Sequence, residues 1–336
     1  MFFTIVIPTY NPGDYLRKML ESITHNDCAN DMEVILSDDI STESFNNIIE
    51  EFKDRLFIRT IRNDKHYGFP RTGRQNGAEA ATGQWMCFAD QDDYFIDHAF
   101  DNAKAYIEEH NVQYYLAYGI LKESSVTNES IFEAPLLGWT HGKFFEKKFW
   151  DEYNIKYDDV QYCEDSNLVT KVCCVLFSLG IEPQIVNEPA YVWYAREDSL
   201  SNGNSGEYFV KSMPDYIKGT FKVVLDFYEK YRDTEELANK YLLNLYSVIY
   251  HLFFYLQAPH FDDRKDVVLN TILLLQPLYE KMKELSGLTN DDIVRITSNE
   301  LLVFYNSIRS SDSALIPFIE KLSFKDWIHT YFNENK

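Results

Sequence analysis

The 336-residue sequence predicts an α/β fold: a mainly parallel central sheet in the N-terminal part, then a C-terminal helical region. Three observations predict it. Short apolar, β-branched runs alternate with amphipathic stretches of helical spacing over the first ninety residues, the order of a parallel sheet with crossover helices. Polar clusters follow three of those runs, at Thr9–Asn11, Asp38–Asp39 and Asp90–Asp93, and in open parallel sheets such ends share one edge where ligands bind. After "NGNSG" the strand signals stop and helical patterns take over, so the boundary falls there, giving domains 1–206 and 207–336.

Taken in order, Phe2 to Ile7 is continuously apolar, the pattern of a strand buried on both faces, and Pro8 stops it. Asn11 before Pro12 reads as an N-cap with proline at the first helical position, and Leu16, Met19, Leu20 and Ile23 recur at helical spacing. Met32 to Leu36 is a second strand. Phe45, Ile48, Ile49 and Phe52 give the next helix its apolar face, and Leu56 to Ile61 returns to strand. A helix over Arg74 to Ala81 closes with Gly83 as its C-terminal glycine, and the strand Trp85 to Ala89 follows. Asp97 to Glu109 reads as helix and Tyr114 to Ile120 as strand, whereas "EAPLLGWTHGKFFEKKFWDEY" reads as a loop leading into a helix. The apolar segment from Asp165 through Phe177 is a buried helix, and "NEPAYVWYA" is a strand. Helices then cover Val223–Tyr231, Glu236–Leu256, Asp266–Leu275, Leu278–Leu285, Asp291–Tyr305 and a last stretch near Phe318–Phe332.

Composition narrows the function. The formal charge is -21, from 53 acidic and 32 basic residues without a basic block, which argues against nucleic acid as the main partner. A phosphorylated substrate would need a cation or a local basic group to approach. Cysteines at 28, 87, 163, 173 and 174, without CxxC spacing, read as thiols of a reducing compartment. The N-terminus lacks a basic leader, and the longest apolar runs fall well short of the roughly 20 residues of a membrane span, so the reading is cytoplasmic, with peripheral membrane contact left open.

The chemistry lies in the polar clusters. Asp90 and Asp92 at the mouth of a strand can both turn oxygens toward Mg²⁺ or Mn²⁺, leaving the other coordination positions to water and substrate phosphates; the alternative is a solvated turn that caps a helix. Asp38 and Asp39 read either as acceptors for a base N–H or a ribose hydroxyl, or as helix caps, with Tyr10 offering a flat face nearby. Glu164 and Asp165 stand at a helix start, where a carboxylate serves as cap or as base. His141, in a glycine-flanked loop, is a ligand-contact candidate or a structural histidine. Arg196, with Lys211 as the weaker option, could neutralise phosphate or form a salt bridge. "PTYNPGD" has no GxGxxG turn and no GxxxxGK[ST] occurs, which removes dehydrogenase and P-loop readings.

Together the segments "TIVIPTYNPGDYLRKMLESI", "EVILSDDIST", "RQNGAEAATGQWMCFADQDD", "CEDSNL" and "YVWYAREDSLS" resemble the inverting family 2 glycosyltransferases of GT-A fold, of the non-processive bacterial type. The resemblance spans residues 4 to 201 and implies a metal-dependent enzyme that moves one sugar from a nucleotide-diphosphate sugar, UDP-linked first of all, to a glycan or lipid-linked oligosaccharide in surface polysaccharide synthesis. It implies that the turn Pro8–Tyr10, with Asp38 and Asp39, holds the base. Asp90 and Asp92 become the D-x-D pair, Asp90 toward the ribose and Asp92 on Mn²⁺ or Mg²⁺, with His141 as a further metal candidate. Asp165 becomes the catalytic base. The region of Tyr194, Arg196 and Ser199 closes over the donor phosphates. Ile40 replaces the glycine usual after the two aspartates, and Gln75 replaces an expected arginine, whose role passes to Arg71 or Arg74. The Q-x-x-R-W motif of processive synthases is absent. The helical region is read as a surface for membrane contact or a homodimer. The competing readings are a nucleotidyltransferase acting on sugar phosphates and an inactive binding subunit of the same fold.

Overall fold

The N-terminal apolar run forms β1 (Phe3–Thr9), in which Phe3, Ile5, Val6 and Ile7 are fully buried, as a strand covered on both faces requires. β1 pairs in parallel with β2 (Met32–Asp38), which pairs in parallel with β3 (Phe57–Arg62); on its other side β1 takes β4 (Trp85–Phe88), again in parallel. The crossovers are α1 (Tyr15–Thr24), α2 (Asn46–Phe52) and α3 (Pro70–Ala80). Then follow β5 (Tyr94–Phe95), α4 (Ala99–His110), β6 (Tyr115–Ser124), β7 (Ser130–Glu133), β8 (Lys143–Glu146), α5 (Lys147–Glu152), α6 (Glu164–Ser178) and β9 (Gln184–Ala195). This computed structural model describes residues 1–127, 129–135, 138–196, 205–256, 264–297 and 323–332, and divides into two units, Met1–Gly203 and Asn204–Lys336.

The sheet runs β3-β2-β1-β4-β8-β6-β9-β5, with β7 paired to β6. It is mixed, which corrects the expected mainly parallel sheet: β1–β2, β2–β3, β1–β4 and β6–β9 are parallel, while β4–β8, β6–β8, β6–β7 and β5–β9 are antiparallel. The departure begins at β8, inside the stretch read as a loop. Lys143, Phe144 and Phe145 are all buried there, so four residues carry no in–out alternation to reveal a strand.

Three local expectations also change. Asn11 does not cap α1, which begins at Tyr15; it adopts φ 42° and its Oδ1 accepts from the backbone of Thr42 (2.9 Å) and Glu43 (3.1 Å), tying the turn after β1 to the turn after β2. Gly83 is no left-handed cap: a Cβ there would stand 2.6 Å from the backbone of Phe3 and Thr4, so the residue is glycine to let chain pass against β1. Gly77 serves α3 in the same way. Its added Cβ would sit 2.2 Å from Val6 Cγ1, and that close approach carries Arg74, a turn earlier, over the end of the sheet.

The second unit is helical where described: α7 (Ser205–Tyr216), a π-helical turn Ile217–Phe221, α8 (Lys222–Tyr231), α9 (Glu235–Leu256), α10 (Lys265–Ser286), a helical stretch over 290–297, and α11 (Phe324–Tyr331). Tyr241, Leu245, Ile249 and Leu252 form the buried stripe of α9, and Phe253 meets Phe324 and Trp327 of α11 edge-on at 5.2 and 5.8 Å. The two helices read over Asp266–Leu275 and Leu278–Leu285 are one, with Pro277 inside. The residue whose carbonyl loses its partner is Leu273, 63% exposed, so water can satisfy that group. Residues 298–305 and 318–322 of the last two expected helices lie outside the described residues. No described helix is long and apolar enough to cross a membrane.

Candidate active site

The three polar strand ends meet at one rim. The turn after β1 is bound to the turn after β2 through Asn11, and to the turn after β4 through Tyr10, whose N–H donates to Gln91 Oε1 (2.8 Å) and whose carbonyl accepts from Gln91 Nε2 (3.1 Å). Pro8 is half-buried at the end of β1 against Gly73 of α3. The exposed Tyr10 ring lies 4.4 Å from the His66 ring, tilted 32°, which makes a flat aromatic face beside Asp39.

Asp38 and Asp39 divide the work at the end of β2. Asp38 is 1% exposed; its Oδ1 accepts from Ser41 N–H (2.9 Å) and its Oδ2 from Arg62 (2.5 Å), which makes it the anchor of the turn, turned away from solvent. Asp39 accepts from Asn63 Nδ2 (2.7 Å), Tyr67 N–H (3.0 Å) and Gly68 N–H (2.8 Å), and so folds the loop that carries His66 against the rim.

The centre is Arg74. Its guanidinium is 2% exposed and reaches across the sheet edge, Nη2 to Asp90 Oδ1 (2.7 Å), Nη1 to Glu164 Oε1 (3.0 Å) and to Asp165 Oδ1 (2.6 Å). One arginine thus joins the acids after β4 to those opening α6. Thr140 N–H faces the other Asp165 oxygen at 3.5 Å. His141 Nε2 lies 3.2 Å from Asp90 Oδ2, and its ring stacks on Tyr191 at 5.1 Å. The Tyr191 hydroxyl donates to Asp93 (2.7 Å) and accepts from Asp90 N–H (2.9 Å), while Tyr194 N–H donates to the other Asp93 oxygen (2.8 Å).

Burial and charge set the protonation. Burial alone would raise the Asp90 carboxyl, yet Arg74 and His141 hold it well below the usual range. For Asp93, burial first and then repulsion from Asp90 outweigh the pull of His141 and push it up to about 7. Glu164 is pushed up to about 7 as well, by burial and then by Asp165. Asp92 is raised by burial and Asp90, against the pull of Arg196. Burial would lower His141, but Asp90 outweighs it and raises the ring above its ordinary value. The site therefore carries more carboxylate than its cations neutralise and holds protons near neutral pH, where a divalent cation could replace them. Among the described residues Asp90, Asp93 and His141 each offer a donor atom within 4.8 Å of the others, and the oxygen-rich set suits Mg²⁺ or Mn²⁺. A second such trio, Asp27, His98 and Asp101, lies elsewhere on the surface.

Of the residues named from the sequence, Asp90, His141, Asp165 and Arg74 come together. Asp92 stands apart from the trio, paired with Arg196 at 2.5 Å. Arg71 turns instead to Asp159 (2.7 Å) and the Asp158 carbonyl (3.2 Å). Lys211 belongs to the helical unit, and Ser199 lies outside the described residues. Sequence reasoning left Asp93 in a solvated turn and Tyr191 as a strand residue. The signal was the third acid of "DQDD", but its burial depends on a tyrosine 98 residues away.

The profile of Glycosyl transferase family 2 matches residues 4–162. Poly(ribitol-phosphate) beta-N-acetylglucosaminyltransferase TarS of Staphylococcus aureus is 30% identical over 112 residues, 33% of this chain, and the chain spans only 20% of the length of that protein. Poly(ribitol-phosphate) beta-N-acetylglucosaminyltransferase TarP, also of S. aureus, is 20% identical over 265 residues, 72% of this chain and 78% of that one. In fold, the chain is similar to the crystal structure of S. aureus TarS 1-349 in complex with UDP-GlcNAc, with a TM-score of 0.67 at 18% identity over 94% of this chain and 93% of that one. The stretch from β1 through α5, which carries Arg74, Asp90 and His141, is thus similar to glycosyl transferase family 2.

Proposed function

We propose that the chain is an inverting glycosyltransferase that moves one sugar from a UDP-sugar to a hydroxyl of a glycan or lipid-linked acceptor in surface polysaccharide synthesis. The observation that carries this reading is the bridge through Arg74, which places the acids after β4 and the acid pair of α6 around one buried cation. The names of TarS and TarP, poly(ribitol-phosphate) beta-N-acetylglucosaminyltransferases, support transfer of a sugar to a polymeric acceptor.

In this reading the Tyr10–His66 face and the loop folded by Asp39 receive the base. Asp90, Asp93 and His141 would hold the divalent cation, with Asp93 oriented by Tyr191 and Tyr194, and Asp92 would join them on release from Arg196. The bound cation would stabilise charge on the leaving diphosphate. Arg196 exchanges Asp92 for the donor phosphates. Asp165 takes the proton from the attacking acceptor hydroxyl. Arg74 occupies its Oδ1, so the proton goes to Oδ2, the oxygen facing Thr140. Inversion follows from attack opposite the leaving group.

Calorimetry with UDP, with and without Mn²⁺, tests the donor site, and a donor screen tests transfer. Asp92→Asn is expected to lose Mn²⁺-dependent UDP binding. Asp165→Asn is expected to keep that binding while transfer falls by about 10²-fold or more. Wild-type protein binding UDP equally without metal, or Asp165→Asn transferring at the wild-type rate, would overturn the assignment.

A further inference from the structure

We propose that the paired indoles of Trp139 and Trp193 form the platform for the acceptor sugar, a specificity element that rests on the glycosyltransferase reading above. Residues 191 and 193 of β9 share one face of their strand, and residues 139 and 141 of the loop before β8 meet them rung for rung. The inner rung is His141 on Tyr191, rings 5.1 Å apart. The outer rung is Trp139 on Trp193, rings 5.5 Å apart and inclined 67°. The inner rung is committed to the acids, since Tyr191 is fully buried with its hydroxyl on Asp93, and His141 touches Asp90. The outer rung packs against the core but touches none of the acids in this way.

Burial separates the two indoles from the rest. The chain has five tryptophans, and Trp85, Trp150 and Trp327 are at most 3% exposed, whereas Trp139 and Trp193 are half-buried. Their loop is fastened to the start of α6: Ser166 Oγ donates to the Gly138 carbonyl (3.0 Å), and Thr140 N–H faces Asp165. Trp139 is thus the neighbour in sequence of the residue that touches the base. Because Thr140 N–H faces Asp165 Oδ2 and Trp139 is the residue before it, an acceptor ring whose hydroxyl reaches that oxygen is placed by this proposal against the outer rung. The electron-rich face of an indole suits the C–H face of a pyranose, and Lys122 Nζ, 4.5 Å from the Trp193 ring centre, can donate to the ring's hydroxyls.

The test uses the full chain loaded with UDP and Mn²⁺, titrated with methyl β-glucoside, methyl β-galactoside and methyl N-acetyl-β-glucosaminide while tryptophan emission is followed. At least one glycoside is expected to change the emission, and Trp139→Phe and Trp193→Phe are each expected to lose most of that change. Trp193→Ala is expected to weaken glycoside affinity by roughly fivefold to tenfold and Trp193→Tyr by less, with UDP affinity within about twofold of wild type. If Trp193→Ala does not fold, the phenylalanine and tyrosine variants carry the test. No response to any glycoside in UDP-loaded wild type, or an equal response in both phenylalanine variants, overturns the platform. Absence of UDP binding in the wild type is a different failure and strikes the glycosyltransferase reading itself.

Discussion

Arg74 holds its charge at 2% exposure among three carboxylates, so its removal would strip Glu164 and Asp165 of their ion-pair partner and leave Asp90 with His141. Arg74→Ala is expected to cost about 3–5 kcal/mol in urea unfolding, the penalty of stranding buried charge. Arg74→Lys keeps a charge but not the planar fork that reaches both sides, so it should lose transfer with a smaller fall in stability. Glu164 makes the pH prediction. Burial first, then Asp165, raise its folded pKa from 4.5 to about 7, so its contribution is present below the unfolded value and lost as pH rises from about 4.5 through 7. Glu164→Gln should therefore be more stable than wild type at pH 8, by on the order of 2 kcal/mol, and no more stable near pH 4, as urea unfolding at the two pH values would read. At this scale Asp90 and Asp165 stand out in the sequence by type and position, whereas Arg74 is one of two substitutes, with Arg71, for the arginine replaced by Gln75. Asp93 does not stand out, because a carboxyl's burial is decided by whatever distant residue lies over it, here Tyr191.

The elements position those residues by close contact. Gly77 lets α3 approach β1 until a methyl group would sit 2.2 Å from buried Val6, so Gly77→Ala must push the helix outward and Arg74 with it. A loss of about 1–3 kcal/mol in thermal or urea unfolding is expected, together with a transfer rate that falls further than stability alone explains. A change of stability without a change of rate would mean that α3 holds Arg74 independently of its packing on β1. β1, β2 and β4 were legible because each is a mostly apolar run that ends in polar turn residues. β8 was not: it is four residues long, and its two phenylalanines lie between Lys143 and Glu146, so no apolar run marks it. The break expected at Pro277 failed for a different reason: proline removes one hydrogen bond, and the carbonyl it frees belongs to exposed Leu273, where water can serve it.

For the molecule as a whole, a formal charge of -21 repels an anionic sugar nucleotide before any contact is made. Raising ionic strength from about 0.01 M to about 0.15 M, where the screening length falls from about 30 Å to about 8 Å, is expected to increase kcat/KM for the donor severalfold at fixed free Mn²⁺. A rate that falls over this range would show that the local field of Arg74, His141 and Arg196 governs approach. The turn after β1 is stitched on one flank to residues 42 and 43 by Asn11 and on the other to Gln91 by the Tyr10 backbone. Nucleobase preference and reaction geometry therefore share a hinge pin, and a graft that retunes residues 39–43 for another nucleotide would have to carry Asn11 and Gln91 along or misalign the chemistry it was meant to redirect.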